Sequence, residues 1–246
     1  MAIMLLDCDV SGHLSVLDLV QAGQVQAFPC KTFQDTENIF WAIYRNQLPK
    51  PDMIIVDTIT ALASKTRMDV VLDPASKGSQ TLWNLGEAAV ASQREWGICG
   101  DLVVRLLRNI FELDIPSIFI AHEGERSDPM SGIDKKSPDL QKAILGPVVS
   151  VADAIVRLKS SSLPLAGAGG VIHPPGTRQL MLNPTGDSAV GVRSIRKLPD
   201  YLINPVLGDL AAALGGWEYW PHNTLLFGPP KVGKTTFACG ADRRTP

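Results

Sequence analysis

The stretch Gly228-Pro229-Pro230-Lys231-Val232-Gly233-Lys234-Thr235 decides how this chain folds. It satisfies the spacing G-x-x-x-x-G-K-[ST] at every defined position. Before it lies Thr224–Phe227, short and apolar enough for a buried strand; after it, Thr235–Arg244 suits a helix. A strand, a glycine-bearing loop and a helix start together make a phosphate cradle. Glycine allows the backbone to turn its N–H groups onto phosphate oxygens, and the positive end of the helix dipole adds to them. Lys234 is placed to neutralise the outer phosphates, and Thr235 to offer a hydroxyl to Mg²⁺. The expected binding set is Gly228, Pro229, Pro230, Lys231, Val232, Gly233, Lys234, Thr235 and Thr236, with Lys234 also acting in catalysis.

Working outward, Asp52-Met53-Ile54-Ile55-Val56-Asp57-Thr58 reads as a buried strand ending in a carboxylate, and Asp57 there can organise a metal shell. Other runs end the same way. Ala2–Leu6 leads into Asp7-Cys8-Asp9, and Ile115–Ala121 leads into His122. Val25–Pro29, Ala154–Leu158, Gln179–Leu182 and Val190–Ile195 read as further strands. Helical spacing covers Thr36–Leu48, with Asp35 or Thr36 as N-cap, and Leu82–Leu113 with a break near Gly97–Gly100. Asn204–Leu214 reads as a helix stopped by Gly215-Gly216. The polar run Glu123–Ser137 reads as a loop. Strands alternating with helices predict an α/β fold with a doubly wound, mainly parallel central sheet. Ligands of such sheets bind beyond the carboxyl ends of the strands. Asp9, Asp57, His122 and Gly228 would then converge on one edge.

Composition narrows the function classes. With 246 residues, 45% of them hydrophobic, the chain can bury a full core, and residues 1–246 read as one domain without an internal repeat. A net charge of −2 gives no general basic field for nucleic acid. Cys8, Cys30, Cys99 and Cys239 are scattered, which argues for reduced thiols rather than zinc or disulfides. No run approaches the ~20 apolar residues that span a bilayer. A cytoplasmic protein without membrane association is expected.

These motifs resemble the RecA family of P-loop ATPases. Asp52–Leu62 resembles its Walker B segment, Met4–Asp9 the strand that carries its catalytic base, and Ser117–His122 the strand whose last residue senses the γ-phosphate. The likeness is nearest to phage-encoded RecA-like ATPases of the AAA group, associated with single-strand annealing or recombination. Trp96–Asp101, Pro138–Leu158 and Leu198–Ile203 also match that group. The resemblance implies a three-layer P-loop NTPase fold, ATP and Mg²⁺ as cofactors, action on single-stranded DNA, and a homo-oligomer, ring or filament, in a bacterial host cytoplasm. It assigns Asp9 as catalytic base, His122 as γ-phosphate sensor, and Thr235 with Asp57 as metal ligands. The family's Lys-x-Arg contact to a neighbouring subunit's nucleotide is represented by Arg193 alone, with Arg196 as a substitute.

Two departures accompany the likeness. In the family the phosphate loop precedes the base-bearing strand, whereas here it closes the chain. The order is that of a circular permutant, with the family's original ends joined near residues 215–222. An evolved permutation and an open reading frame cut from a circular genome both give this order. Second, Asp9 stands where the family has Glu, one methylene shorter and about 1.5 Å less in reach, which matters at hydrogen-bond distances. Three functions remain open: an ATPase acting on single-stranded DNA, a nucleotide-binding switch with little or no hydrolysis, and a small-molecule kinase. Arg126, Lys135 and Lys136 could contact DNA from the Glu123–Ser137 loop, offset by Glu123, Glu125, Asp128 and Asp134. Trp217, Tyr219 and Trp220 could stack on bases or pack the linker.

Overall fold

The computed structural model describes residues 2–9, 11–72, 93–127, 134–166, 170–184, 188, 190–194 and 197–240. In chain order the strands are β1 (Ile3–Asp7), β2 (Val25–Pro29), β3 (Met53–Asp57), β4 (Ser117–Ser127), β5 (Asp134–Pro138) and β6 (Ala154–Ser160). They continue with β7 (Leu165–Ala166), β8 (Ile172–His173), β9 (Arg178–Met181), β10 (Gly191–Val192), β11 (Tyr201–Ile203) and β12 (Asn223–Gly228). The helices are α1 (Leu17–Gln21), α2 (Phe33–Tyr44), α3 (Ile59–Leu72), α4 (Gln93–Phe111), α5 (Lys142–Val151), α6 (Leu207–Leu214) and α7 (Lys234–Ala238). One sheet runs in the order β11-β9-β6-β12-β4-β3-β1-β2, with β10 beside β6 and β5 beside β4. Its centre, β6 through β2, is parallel. β9, β10 and β11 are antiparallel additions at one side.

The strand sequences explain why both faces are covered. In β1, Met4 and Leu6 join one apolar cluster while Ile3 and Leu5 join the other. In β3, Ile54 and Val56 face the first and Met53 and Ile55 the second. Alternation with no polar face is what a sheet buried on both sides requires. The first cluster takes Phe40 and Ile43 of α2, Leu62 of α3, Val103, Leu106 and Leu107 of α4, and Ile144 of α5. The second takes Leu207, Leu210 and Leu214 of α6 and Phe237 of α7. Each such fully buried aliphatic side chain contributes roughly 2 kcal/mol of transfer free energy. The result is an α/β fold with a large, mostly parallel mixed sheet between two helical layers. None of its described helices is long and apolar enough to cross a membrane.

Several expected boundaries change. Thr32, not Asp35 or Thr36, caps α2: its hydroxyl accepts from the Asp35 N–H, and Asp35 Oδ2 accepts from the Thr32 N–H. This reciprocal pair satisfies amide groups that a helix start otherwise leaves open. α4 runs unbroken through Gly97 and Gly100. Its apolar stripe passes through Cys99, Val103 and Leu107, and a Cβ on Gly100 would lie 3.2 Å from Ala143 Cβ of α5. Gly100 therefore serves close helix packing instead of ending a helix. The expected helical residues 82–92 lie outside the described ones.

The segment Glu123–Ser137 is not simply a loop. β4 continues to Ser127 and pairs antiparallel with β5, Glu125 opposite Lys136. Polar composition hid this ribbon, because both its faces carry charged groups; the cross-strand Glu125–Lys136 ion pair supports the register. Residues 128–133 lie outside the described ones. α7 is shorter than the predicted Thr235–Arg244: it ends at Ala238, and Gly240 follows with φ 72°. That left-handed conformation suits glycine and stops the helix, and residues 241–246 are outside the described set. The helix expected from Asn204 begins at Leu207, and Gly215 closes it with φ 108°.

Candidate functional site

The parallel strands deliver their polar ends to one edge. Register pairs Gly228 with His122 across β12 and β4, and Asp57 with Asp7 across β3 and β1. The loop after β12 leans on the end of β6 so closely that a Cβ on Gly228 would stand 2.0 Å from the Leu158 carbonyl oxygen. Only glycine fits there. Lys231 (φ 61°) and Gly233 (φ 89°) are left-handed, which turns successive N–H groups to one side. Lys234 and Thr235 open α7 from this loop.

Lys234 is 7% exposed and donates to the carbonyls of Gly228 (3.0 Å) and Pro229 (2.9 Å). Burial lowers its pKa, against the opposing pull of Asp57, Asp9 and Glu123. Thr235 Oγ1 donates to Asp57 Oδ2, linking the loop to β3. Asp57 is 3% exposed, and its pKa rises to about 6. Burial is the main cause and the charges of Asp9 and Asp7 add to it, while the Thr235 hydrogen bond and Lys234 oppose it. Behind it, Asp7 accepts from the amides of Gly12 (3.1 Å) and His13 (3.2 Å) and bonds His13 Nδ1 at 2.6 Å.

Asp9 stands further out. Its Oδ1 is 3.4 Å from the Thr58 hydroxyl and its Oδ2 is 3.7 Å from His122 Nε2. The main-chain amides of Cys8 and Asp9 both donate to the Asp57 carbonyl (2.6 and 3.1 Å), so β1 and β3 are tied past their last paired residues. The Asp57–Thr58 peptide is cis. His122 is held by its amide, which donates to Thr60 Oγ1 at 3.0 Å. Asp9, Asp57, His122, Pro230, Lys231, Gly233, Lys234, Thr235 and Thr236 together line one cleft of about 370 Å³. Its chemistry divides in two: carboxylates and a hydroxyl that suit a hard cation such as Mg²⁺, and a cationic, amide-rich loop that suits phosphate. The oxygen donors fit the metal and the loop fits a polyphosphate.

Other expected residues lie elsewhere. Arg193 is at the opposite edge of the sheet: its amide donates to the Asp153 carbonyl just before β6, and its side chain, 69% exposed, lies 3.5 Å from Asp153 Oδ1. It is outside the cleft of its own chain. Arg196 lies outside the described residues. In the ribbon, Arg126 donates to the Leu140 carbonyl and Lys136 pairs with Glu125, so these cations are engaged within the fold. Trp220 is buried against Trp217, with ring centroids 5.2 Å apart, while Trp217 and Tyr219 stay about half exposed.

Several residues in or beside the cleft carry no motif of their own. Gly12 and its flanking serines, Ser11 and Ser15, line the cleft. A Cβ on Gly12 would lie 2.6 Å from Asp57 Oδ2. Arg178, at the start of β9, places Nη1 within 3.1 Å of where a Gly233 Cβ would be. Neither Gly12 nor Arg178 belongs to a local pattern, so only the folded chain reveals them. Comparison with models of known protein families found none that matches, and a search among curated proteins gave no match.

Proposed function

We propose that this chain is a RecA-like, Mg²⁺-dependent ATPase that acts on single-stranded DNA in phage-type recombination or replication, assembled as a homo-oligomer. The observation that carries the ATP part is the meeting of Lys234, Thr235, Asp57, Asp9 and His122, brought by the start of α7, the ends of β3 and β1 and the middle of β4, in one cleft. In this reading the loop amides and Lys234 hold the β- and γ-phosphates, and Lys234 exchanges the carbonyls of Gly228 and Pro229 for phosphate oxygens. Mg²⁺, when bound, neutralises charge between those phosphates. Thr235 and Asp57 would hold it, their mutual hydrogen bond opening as they do so. Asp9 orients and deprotonates the attacking water, and His122 contacts the γ-phosphate.

The chain order supports the permuted form of this reading. β12 and β1 are parallel members of one sheet, and α7 packs against the turn at Gly12–Val16 that follows β1. A link from α7 to β1 would make the β-α-β crossover that the family order requires. The DNA and oligomer proposals rest on the resemblance alone.

A second reading, a nucleotide-binding switch with little or no hydrolysis, is favoured by Asp9. Its short side chain is directed at Thr58 and His122, at 3.4 and 3.7 Å. The deciding experiment is ATP turnover with Mg²⁺, with and without single-stranded DNA, across a salt series. Salt-sensitive stimulation by DNA, abolished in Lys234→Ala, supports the first reading. Nucleotide binding with near-zero turnover that Asp9→Asn leaves unchanged supports the second, and turnover indifferent to DNA removes the DNA role.

A further inference from the structure

The charges around the glycine loop are sorted by side. Toward β4, β3 and β1 lie His122, Asp57, Asp9 and Asp7; on β6 lies Arg157, paired with Glu123 of β4 at 2.8 Å, and on β9 lies Arg178. β9 pairs with β6 so that Arg178 stands opposite Ser160, at the same sheet edge as the loop. Its main chain is fixed there: the Arg178 amide donates to Asn204 Oδ1 (3.1 Å), and its carbonyl accepts from the Asn204 amide (2.8 Å). The side chain runs along the loop, with Nη1 at 3.1 Å and Cδ at 4.0 Å from a Cβ built on Gly233. Thr236, in the first turn of α7, is a neighbour of the same point, its Cβ 4.0 Å away.

A nucleoside triphosphate must cross this loop in one direction. On the reading above, its metal-bound, hydrolysed end meets the carboxylates, since these would hold the cation and orient the water. The other end then points toward β6 and β9. We infer that Arg178 contacts the α-phosphate of the bound nucleotide and so recognises the nucleoside end of the ligand. This rests on the nucleotide-binding reading above. A guanidinium suits that role because it stays charged and its planar donors match two phosphate oxygens at once. Lys234 serves the middle of the chain, and Arg178 adds a second cation beside Gly233.

The test is calorimetric titration of the full chain, and of Arg178→Ala and Arg178→Lys, with Mg²⁺ and ATP, ADP, or each diastereomer of ATP carrying sulfur on the α-phosphate. Arg178→Ala should weaken ATP and ADP alike, by about tenfold, and Arg178→Lys should recover part of the loss. The unsubstituted chain should prefer one α-thio diastereomer, and Arg178→Ala should lose that preference. A purely structural role for Arg178 would weaken binding yet leave the preference intact, which overturns the inference. Loss for ATP but not ADP places Arg178 at the γ-phosphate and also overturns it, as does an unsubstituted chain with no preference. Failure of the unsubstituted chain to bind ATP or ADP at all instead removes the nucleotide reading itself. Thermal unfolding of the unliganded variants identifies any loss due to misfolding, and Arg178→Lys then carries the comparison.

Discussion

Asp57 carries the most strained electrostatics of the cleft, and its protonation gives a stability test. An ordinary aspartate titrates near ~4, whereas burial and the neighbouring Asp9 and Asp7 lift Asp57 to about 6. The folded chain thus binds this proton more tightly than the unfolded chain. That contribution is fully present below pH ~4 and is lost as pH rises through about 6. Asp57→Asn mimics the protonated form. It should stabilise the unliganded protein at pH 8 by about 3 kcal/mol, and the gain should vanish at pH 4. Denaturant unfolding at the two pH values measures it, and an equal gain at both would show that charge is not the cause. Asp9 makes a separate prediction about rate. If it activates water, Asp9→Asn should lower ATP turnover about 100-fold while nucleotide affinity stays within a few-fold. A parallel loss of both in single-turnover and binding measurements would make Asp9 a binding group only.

At the scale of elements, two glycines set how closely loops approach the sheet edge. Gly228→Ala would drive a Cβ to 2.0 Å from the Leu158 carbonyl oxygen, a backbone atom of β6 that cannot rotate away. Gly12→Ala meets a side-chain atom instead, Asp57 Oδ2 at 2.6 Å. The first should cost several kcal/mol of folding stability. The second should leave the fold nearly as stable while weakening Mg²⁺-dependent nucleotide binding, because the Asp57 carboxylate must turn. Comparing unfolding midpoints with binding isotherms separates the two, and a Gly12→Ala chain with unchanged Mg²⁺ dependence would dismiss the steric argument. The central strands were legible because the apolar runs ending in Asp57, His122 and Gly228 are short and doubly buried. The β4–β5 ribbon was not, since its pairing depends on Glu125 meeting Lys136 across the hairpin and not on any apolar period. The break expected at Gly97–Gly100 does not occur in α4, because a helix–helix contact, invisible in one segment, decides what Gly100 is for.

For the whole molecule, chain order is open to direct test. The strand that begins the chain and the strand that leads into the glycine loop are parallel members of the same sheet, separated by β4 and β3. A rearranged gene that joins the present ends by a short linker and opens between Gly215 and Gly216 should therefore fold. Both glycines have positive φ, at 108° and 136°, in a turn after α6, and opening a turn disturbs few packed groups. The rearranged protein should match the native chain in circular dichroism and bind nucleotide within a few-fold. Failure to fold cooperatively would count against the permutation.

The sequence alone determined the alternation of strands and helices, the glycine loop that opens a helix at Lys234 and Thr235, and the carboxylates that close or follow the strands at Asp57 and Asp9; it did not show that the strand expected to end at His122 runs on to Ser127. Those are local properties: side-chain period, residue type and spacing along a few residues. The tertiary structure decided which strand lies beside which, and hence that Asp57 bonds Thr235, that Gly12 leaves room for that carboxylate, and that Arg178 rests against Gly233. These pairs come from separate elements and have no shared period. Only the sheet order and the loops folded over its edge bring them within contact distance.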